Sequence, residues 1–189
     1  EILRCLVGSE MCIRDRNTII PLTANQAILP PSDNMLRLAK VEKKQIAKAY
    51  YDLDAEVMVR ISSSEKGKFG AFSHNLAPVS LDDELFFIDK KGNKVIGGLS
   101  KAFLSNEGYR VVQKGSAFGA IDSTGAVVIP IEYTNSLTSV NNGRLGVQKN
   151  ASWFYVDMKG QIVSDKYDRI GNFHQGYASV CLNLSLIHT

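Results

Sequence analysis

Aspartates set between apolar residues are the first candidates for chemistry in this chain. Asp157 lies in Tyr155-Val-Asp-Met-Lys-Gly-Gln-Ile-Val163, where a carboxylate could hold a proton or a metal. Asp52-Leu-Asp54 and Asp82-Asp-Glu84 are the clustered carboxylates. Calcium needs roughly six to eight oxygens on a shaped loop, and neither cluster has Asp-x-Asp-x-Asp-Gly spacing. Both read as solvated turns. His74 and His174 sit at offset positions in related phrases and are expected in loops rather than as a catalytic base. Cys181 follows an apolar run and is expected to be a small core residue. Ser62 to Gly70, SSSEKGKFG, lacks phosphate-loop spacing and reads as a connection. No catalytic, cofactor-binding or metal-binding residue is assigned, and the chain is not expected to be an enzyme.

The phrase around Asp157 recurs, and the recurrence gives the aspartate a different role. Asp52, Asp89, Asp122 and Asp157 stand 37, 33 and 35 residues apart. The residue before each is Tyr51, Ile88, Ile121 or Val156, and the third after is Ala55, Gly92, Gly125 or Gly160. An apolar run, Asp-x-x-Gly and a second β-branched run form a hairpin signature. Aspartate at the first position of a type I turn accepts turn N–H groups, and glycine at the fourth takes positive φ. The expected turn is a three-residue hairpin closing on a left-handed glycine. Ala55 breaks the rule, since a non-glycine there costs about 1–2 kcal/mol, so the first hairpin is expected to be shaped differently.

Other phrases recur with the same period. Phe72 to Val79 resembles Phe173 to Val180, and Gly108 and Gly143 share a slot. Pro130 is expected to end its strand, because proline cannot donate to a ladder. Each unit reads as three short strands, as in Leu76–Val79, Leu85–Asp89 and Lys94–Ile96. Met35 to Tyr50 also carries good helix formers, but its place in the repeat favours strand. A unit this small needs stacked neighbours to bury its faces.

Both ends read as foreign to the repeat. Met11 to Asp15 matches translation of a sequencing-library adapter, ATG TGT ATA AGA GAC, and Leu184 to His188 matches its opposite strand. Residues 1–16 and 184–189 are therefore expected to be adapter-derived, with the repeat array spanning 17–183. Within 17–183 only Cys181 remains, which excludes a disulfide framework and a cysteine zinc site. The net charge of +3 is small and dispersed, against a nucleic-acid footprint. Lys40, Lys43, Lys44 and Lys48 form the densest basic patch and read as a solvated face. No apolar run approaches the roughly 20 residues of a membrane span.

Phe118 to Tyr133, FGAIDSTGAVVIPIEY, resembles the WG (tryptophan–glycine) repeat family, with Phe118 in the tryptophan slot. Trp153 takes that slot one unit later, with Phe154 in place of glycine; Leu85-Phe86 and Lys48-Ala49 match the pair poorly. The resemblance implies tandem β-repeats and an interaction scaffold. Trp153, Phe154 and Tyr155 are expected to pack rather than stack on a ligand.

The expected fold is all-β, with hairpin or meander repeats of about 35 residues in an open solenoid-like array; a propeller-like array is the alternative. The expected function is a non-catalytic scaffold binding a protein partner, without nucleic acid. Alternatives are a ligand- or carbohydrate-binding array of a surface protein, and a regulatory array attached to an enzyme domain.

Overall fold

The computed structural model describes residues 3–7, 10–15, 18–22, 26–42, 45–55, 57–62 and 67–182, and side chains at 29, 31–38, 49–55, 57–61 and 67–182. All regular structure in these residues is antiparallel strand, in six small sheets that follow one another along the chain. None closes into a barrel.

Unit one pairs Leu3–Val7 (β1), Glu10–Asp15 (β2) and Thr18–Leu22 (β3). Unit two is Gln26–Ser32 (β4), Met35–Glu42 (β5), Gln45–Asp52 (β6) and Val57–Ser62 (β7). Unit three is Lys68–Phe69 (β8), Ala77–Leu81 (β9), Glu84–Ile88 (β10) and Lys94–Leu99 (β11). Unit four is Lys101–Asn106 (β12), Tyr109–Lys114 (β13), Ala117–Ile121 (β14) and Val127–Tyr133 (β15). Unit five keeps Asn135–Ser136 (β16), Arg144–Lys149 (β17) and Ser152–Asp157 (β18), and unit six Arg169–Ile170 (β19) and Val180–Cys181 (β20). The complete units are four-stranded meanders in sequence order, so the three-strand expectation is corrected. The missed strand is β8 or β12, which enters through a short turn before the phrases that repeat most visibly.

Period-two alternation buries both faces of the middle units. Phe87 packs toward unit four with Leu76, Leu99, Val112 and Ile121. Its neighbour Ile88 packs toward unit two with Met35, Tyr50, Phe72 and Val79. Val111 and Ala120 turn the other way and join Leu145, Val147, Phe154 and Val156 of unit five. Each fully buried Val, Ile or Phe contributes about 1.5–3 kcal/mol, and these three clusters each join residues of two neighbouring units.

Three local expectations are decided here. Of this stretch Met35–Glu42 is strand β5, and from Gln45 the chain is strand again in β6. Pro130 does not end its strand. β15 continues to Tyr133 past a register shift between Phe118↔Tyr133 and Ala120↔Ile129, an edge-strand bulge where a missing N–H is harmless. Cys181 is exposed rather than core: among the described residues β20 has one strand beside it and no further sheet over it. The basic patch falls outside the described residues at Lys43 and Lys44 and, for side chains, at Lys40 and Lys48; so do 63–66 of the Ser-rich loop and 183–189.

Candidate functional site

Two rows of turns join strands within the units, and most candidate residues lie in one of them or in a strand. The first row joins strands one and two of units two to six: Asp33-Asn34, His74-Asn75, Glu107, Asn142 and Gln175, the last three each followed by glycine. Both central residues have positive φ, the geometry of type I′ hairpins. The turns of units two, three and four each reach the next unit. Asp33 Oδ2 accepts from Asn75 N at 2.8 Å, and Glu107 accepts from Asn142 N and Gly143 N, both at 2.8 Å. Between them, His74 Nδ1 lies 2.9 Å from Ser105 Oγ and 3.2 Å from Ser73 Oγ.

The second row is the Asp-x-x-Gly turns. Gly92 N donates to Asp89 O, and Asp89 N to Asn93 O, at 3.0 Å each. Asp122 and Asp157 repeat the pair, and Gly92, Gly125 and Gly160 have φ of +86°, +88° and +77°. This is the expected type I turn with a left-handed glycine. Asp89 Oδ1 accepts from Lys91 N and Asn93 N, Asp122 Oδ1 from Thr124 N and Ala126 N, and Asp157 Oδ1 from Lys159 N and Gln161 N. Partial burial pushes the Asp89 carboxyl up, but bonds from the Asn93 side chain and the turn N–H groups outweigh it and hold it below its ordinary range. At Asp122 burial is likewise outweighed, by the Thr124 hydroxyl and three backbone N–H groups. At Asp52, Ala55 avoids positive φ, and Asp52 Oδ1 takes Asp54 N and Ala55 N instead.

The remaining candidates scatter. Asp54 accepts from Asn34 Nδ2 at 3.0 Å, Asp82 and Asp83 form the turn between β9 and β10, and Glu84 takes Lys94 Nζ at 2.6 Å and Gly98 N at 3.0 Å. Among the described residues no three metal-ligating side chains gather, and no helix is long and apolar enough to cross a membrane. His174 is exposed and pairs its backbone with Tyr177. The His74–Ser105 contact has a nucleophile and a base in reach, but among the described residues no carboxylate bonds the imidazole.

Phe154 and Tyr155 are buried, as expected, and Trp153 is half-buried between Gln148 and Tyr167. Tyr155 does more than fill space. Its hydroxyl donates to Gly171 O at 2.6 Å, and its ring meets Phe173 edge-on at 4.7 Å. Tyr50 makes the same pair of contacts with Gly70 O, at 2.8 Å, and Phe72, at 4.9 Å. The signal was the tyrosine two places before Asp52 and Asp157 together with the repeated Phe72 and Phe173 phrases.

Where the Asp turns meet the preceding unit, a row of apolar side chains stays in water. Val57 and Met58, Val95, Val127, and Ile162 and Val163 are exposed, each five or six places after its Asp. Between Val57–Arg60 of unit two and Lys90–Lys91 of unit three this row opens into a groove of about 300 Å³.

The family described as "WG containing repeat" matches residues 118–153 and 153–183. Residues 118–183 are WG repeats. One WG repeat runs from β14 of unit four into β18 of unit five, so the sequence period is out of phase with the sheets and ties neighbours covalently. The glycine of the pair has a steric reason: a Cβ on Gly119 would stand 2.6 Å from Ile129 O and 2.8 Å from Ile131 Cα, inside the bulge of β15. In the second WG repeat Phe154 enters the core instead, and the segment beside it pairs only through isolated bridges, Val156↔Ile162 and Trp153↔Tyr167. No curated protein matches. Among solved structures, the chain is similar to a chain from a crystal structure of the eukaryotic initiation factor, at 12% identity and TM-score 0.34, covering 97% of this chain and 66% of that one. It is also similar to a chain of a nidogen/laminin complex, at 9% identity and TM-score 0.29, covering 89% of this chain and 93% of that one. The chain thus spans about two thirds of the first of these.

Proposed function

We propose that this WG-repeat array is a non-catalytic scaffold that binds a protein partner. The observation that carries the reading is the contrast between its two kinds of recurring residue. The recurring carboxylates Asp89, Asp122 and Asp157 are occupied in closing their own turns. The recurring apolar residues beside them, from Val57 to Val163, face water in four successive units. A repeated exposed apolar row is a feature of interaction surfaces.

A photo-crosslinking residue at Val127, introduced into the protein in its source cells, tests this. A discrete polypeptide adduct that disappears when Ile162 and Val163 become aspartate is expected. Failure to form it overturns the scaffold. A fluorophosphonate probe tests the enzymatic alternative: covalent labelling of Ser105 that requires His74 overturns the non-catalytic reading.

A further inference from the structure

We propose that the groove between units two and three receives an extended peptide segment in which carboxylates alternate with apolar side chains. The proposal rests on the scaffold reading and names the chemistry of its partner. Val57 and Met58 supply an exposed apolar floor, 54% and 39% exposed, although both are large hydrophobic residues. Arg60, Lys90 and Lys91 supply the rim.

Among the described residues the charges are not balanced from within. Lys91 lies in the field of its own Asp89. Asp52, the groove's carboxylate, already accepts two backbone N–H groups of its own turn. Among the described residues neither Arg60 nor Lys90 has a carboxylate partner. Cations beside an apolar floor match a partner with negative charge next to apolar groups.

The strand geometry also selects an extended occupant. β7 carries Val57, Met58 and Arg60 and is the edge of its sheet, with β6 on one side and no strand of that sheet on the other. An alternating strand laid along such an edge presents apolar residues to one face and carboxylates to the other. The site sits where Ala55 replaces the turn glycine and the Asp52 turn takes its own shape.

The test uses the whole chain, labelled with ¹⁵N, and two defined probes, acetyl-Glu-Val-Glu-Val-Glu-Val-amide and the same peptide with lysine for glutamate. Amide shifts at Val57 to Arg60 and at Lys90 and Lys91 are expected with the acidic peptide alone. R60E/K90E should weaken its affinity tenfold or more, and the milder K90Q, at a half-buried turn position, a few-fold with an unchanged spectrum. Raising the salt should weaken binding as well. Equal binding of the lysine peptide, shifts elsewhere on the array, or indifference to both variants overturns the assignment. If the peptide fails while the Val127 adduct still forms, the groove is refuted and the scaffold stands.

Discussion

A Cβ on Gly125 would lie 2.8 Å from Val95 Cγ2, across the boundary between units three and four. The turn glycine therefore does two things. It allows a φ of +88°, and it lets the turn close on the fourth strand of the preceding unit. Gly92 repeats the arrangement against Val59 Cγ1, at 2.7 Å.

Gly125→Ala should accordingly cost more than Gly108→Ala. Both glycines have positive φ, but a Cβ at Gly108 meets nothing within 4 Å. The conformational cost alone is about 1–2 kcal/mol, and overpacking against Val95 adds about 1–3 kcal/mol. Urea unfolding of G125A, G108A and G125A/V95A measures this. The double variant should be more stable than the sum of its two single losses predicts, because removing the valine methyls relieves the collision.

Tyr155→Phe leaves Gly171 O without its donor and keeps the ring on Phe173. The expected loss is about 1 kcal/mol, localised to the end of the array. Hydrogen exchange reads it out: the Gly171 amide, bonded to Ser179 O, should exchange faster, while amides of units two and three stay unchanged.

Acid should loosen the Asp turns. Asp89 and Asp122 have folded pKa values below the ordinary 3.8, so their stabilisation is present above that value and is lost as pH falls through the folded values. The urea midpoint should fall below about pH 4. D89N/D122N should be less stable at neutral pH and flatten that part of the profile.

Arg110 is 6% exposed and stacks 4.8 Å over Phe87, bonding Phe103 O at 3.2 Å and Ser73 O at 3.4 Å. Burial pushes its pKa down, and no carboxylate bonds it among the described residues. Arg110→Met, which keeps the bulk, should lie within about 1 kcal/mol of the parent or above it, whereas Arg110→Ala should lose about 2–3 kcal/mol through the cavity. Thermal unfolding of the two variants separates packing from charge.

Much of this arrangement was readable in the chain, and the readable part is local. Asp89, Asp122 and Asp157 bond N–H groups two and four residues ahead, so their turns follow from adjacent residue types. Ala55 signalled a different turn for the same reason. The first strand of each unit was missed because its turn residues, His74-Asn75 or Glu107-Gly108, vary in type although the backbone repeats. Cys181 was misplaced because burial depends on which sheet lies over a strand. The groove could not be read at all, since Arg60 and Lys90 come together only when two sheets stack.

By itself the sequence determined the all-β class, the period and the chemistry of the Asp corners, because each is settled by bonds a few residues long. Tertiary structure alone decided the four-stranded unit, the inter-unit tyrosine contacts and the exposed row with its groove. Those depend on how one sheet face meets the next, and that contact joins residues tens of positions apart.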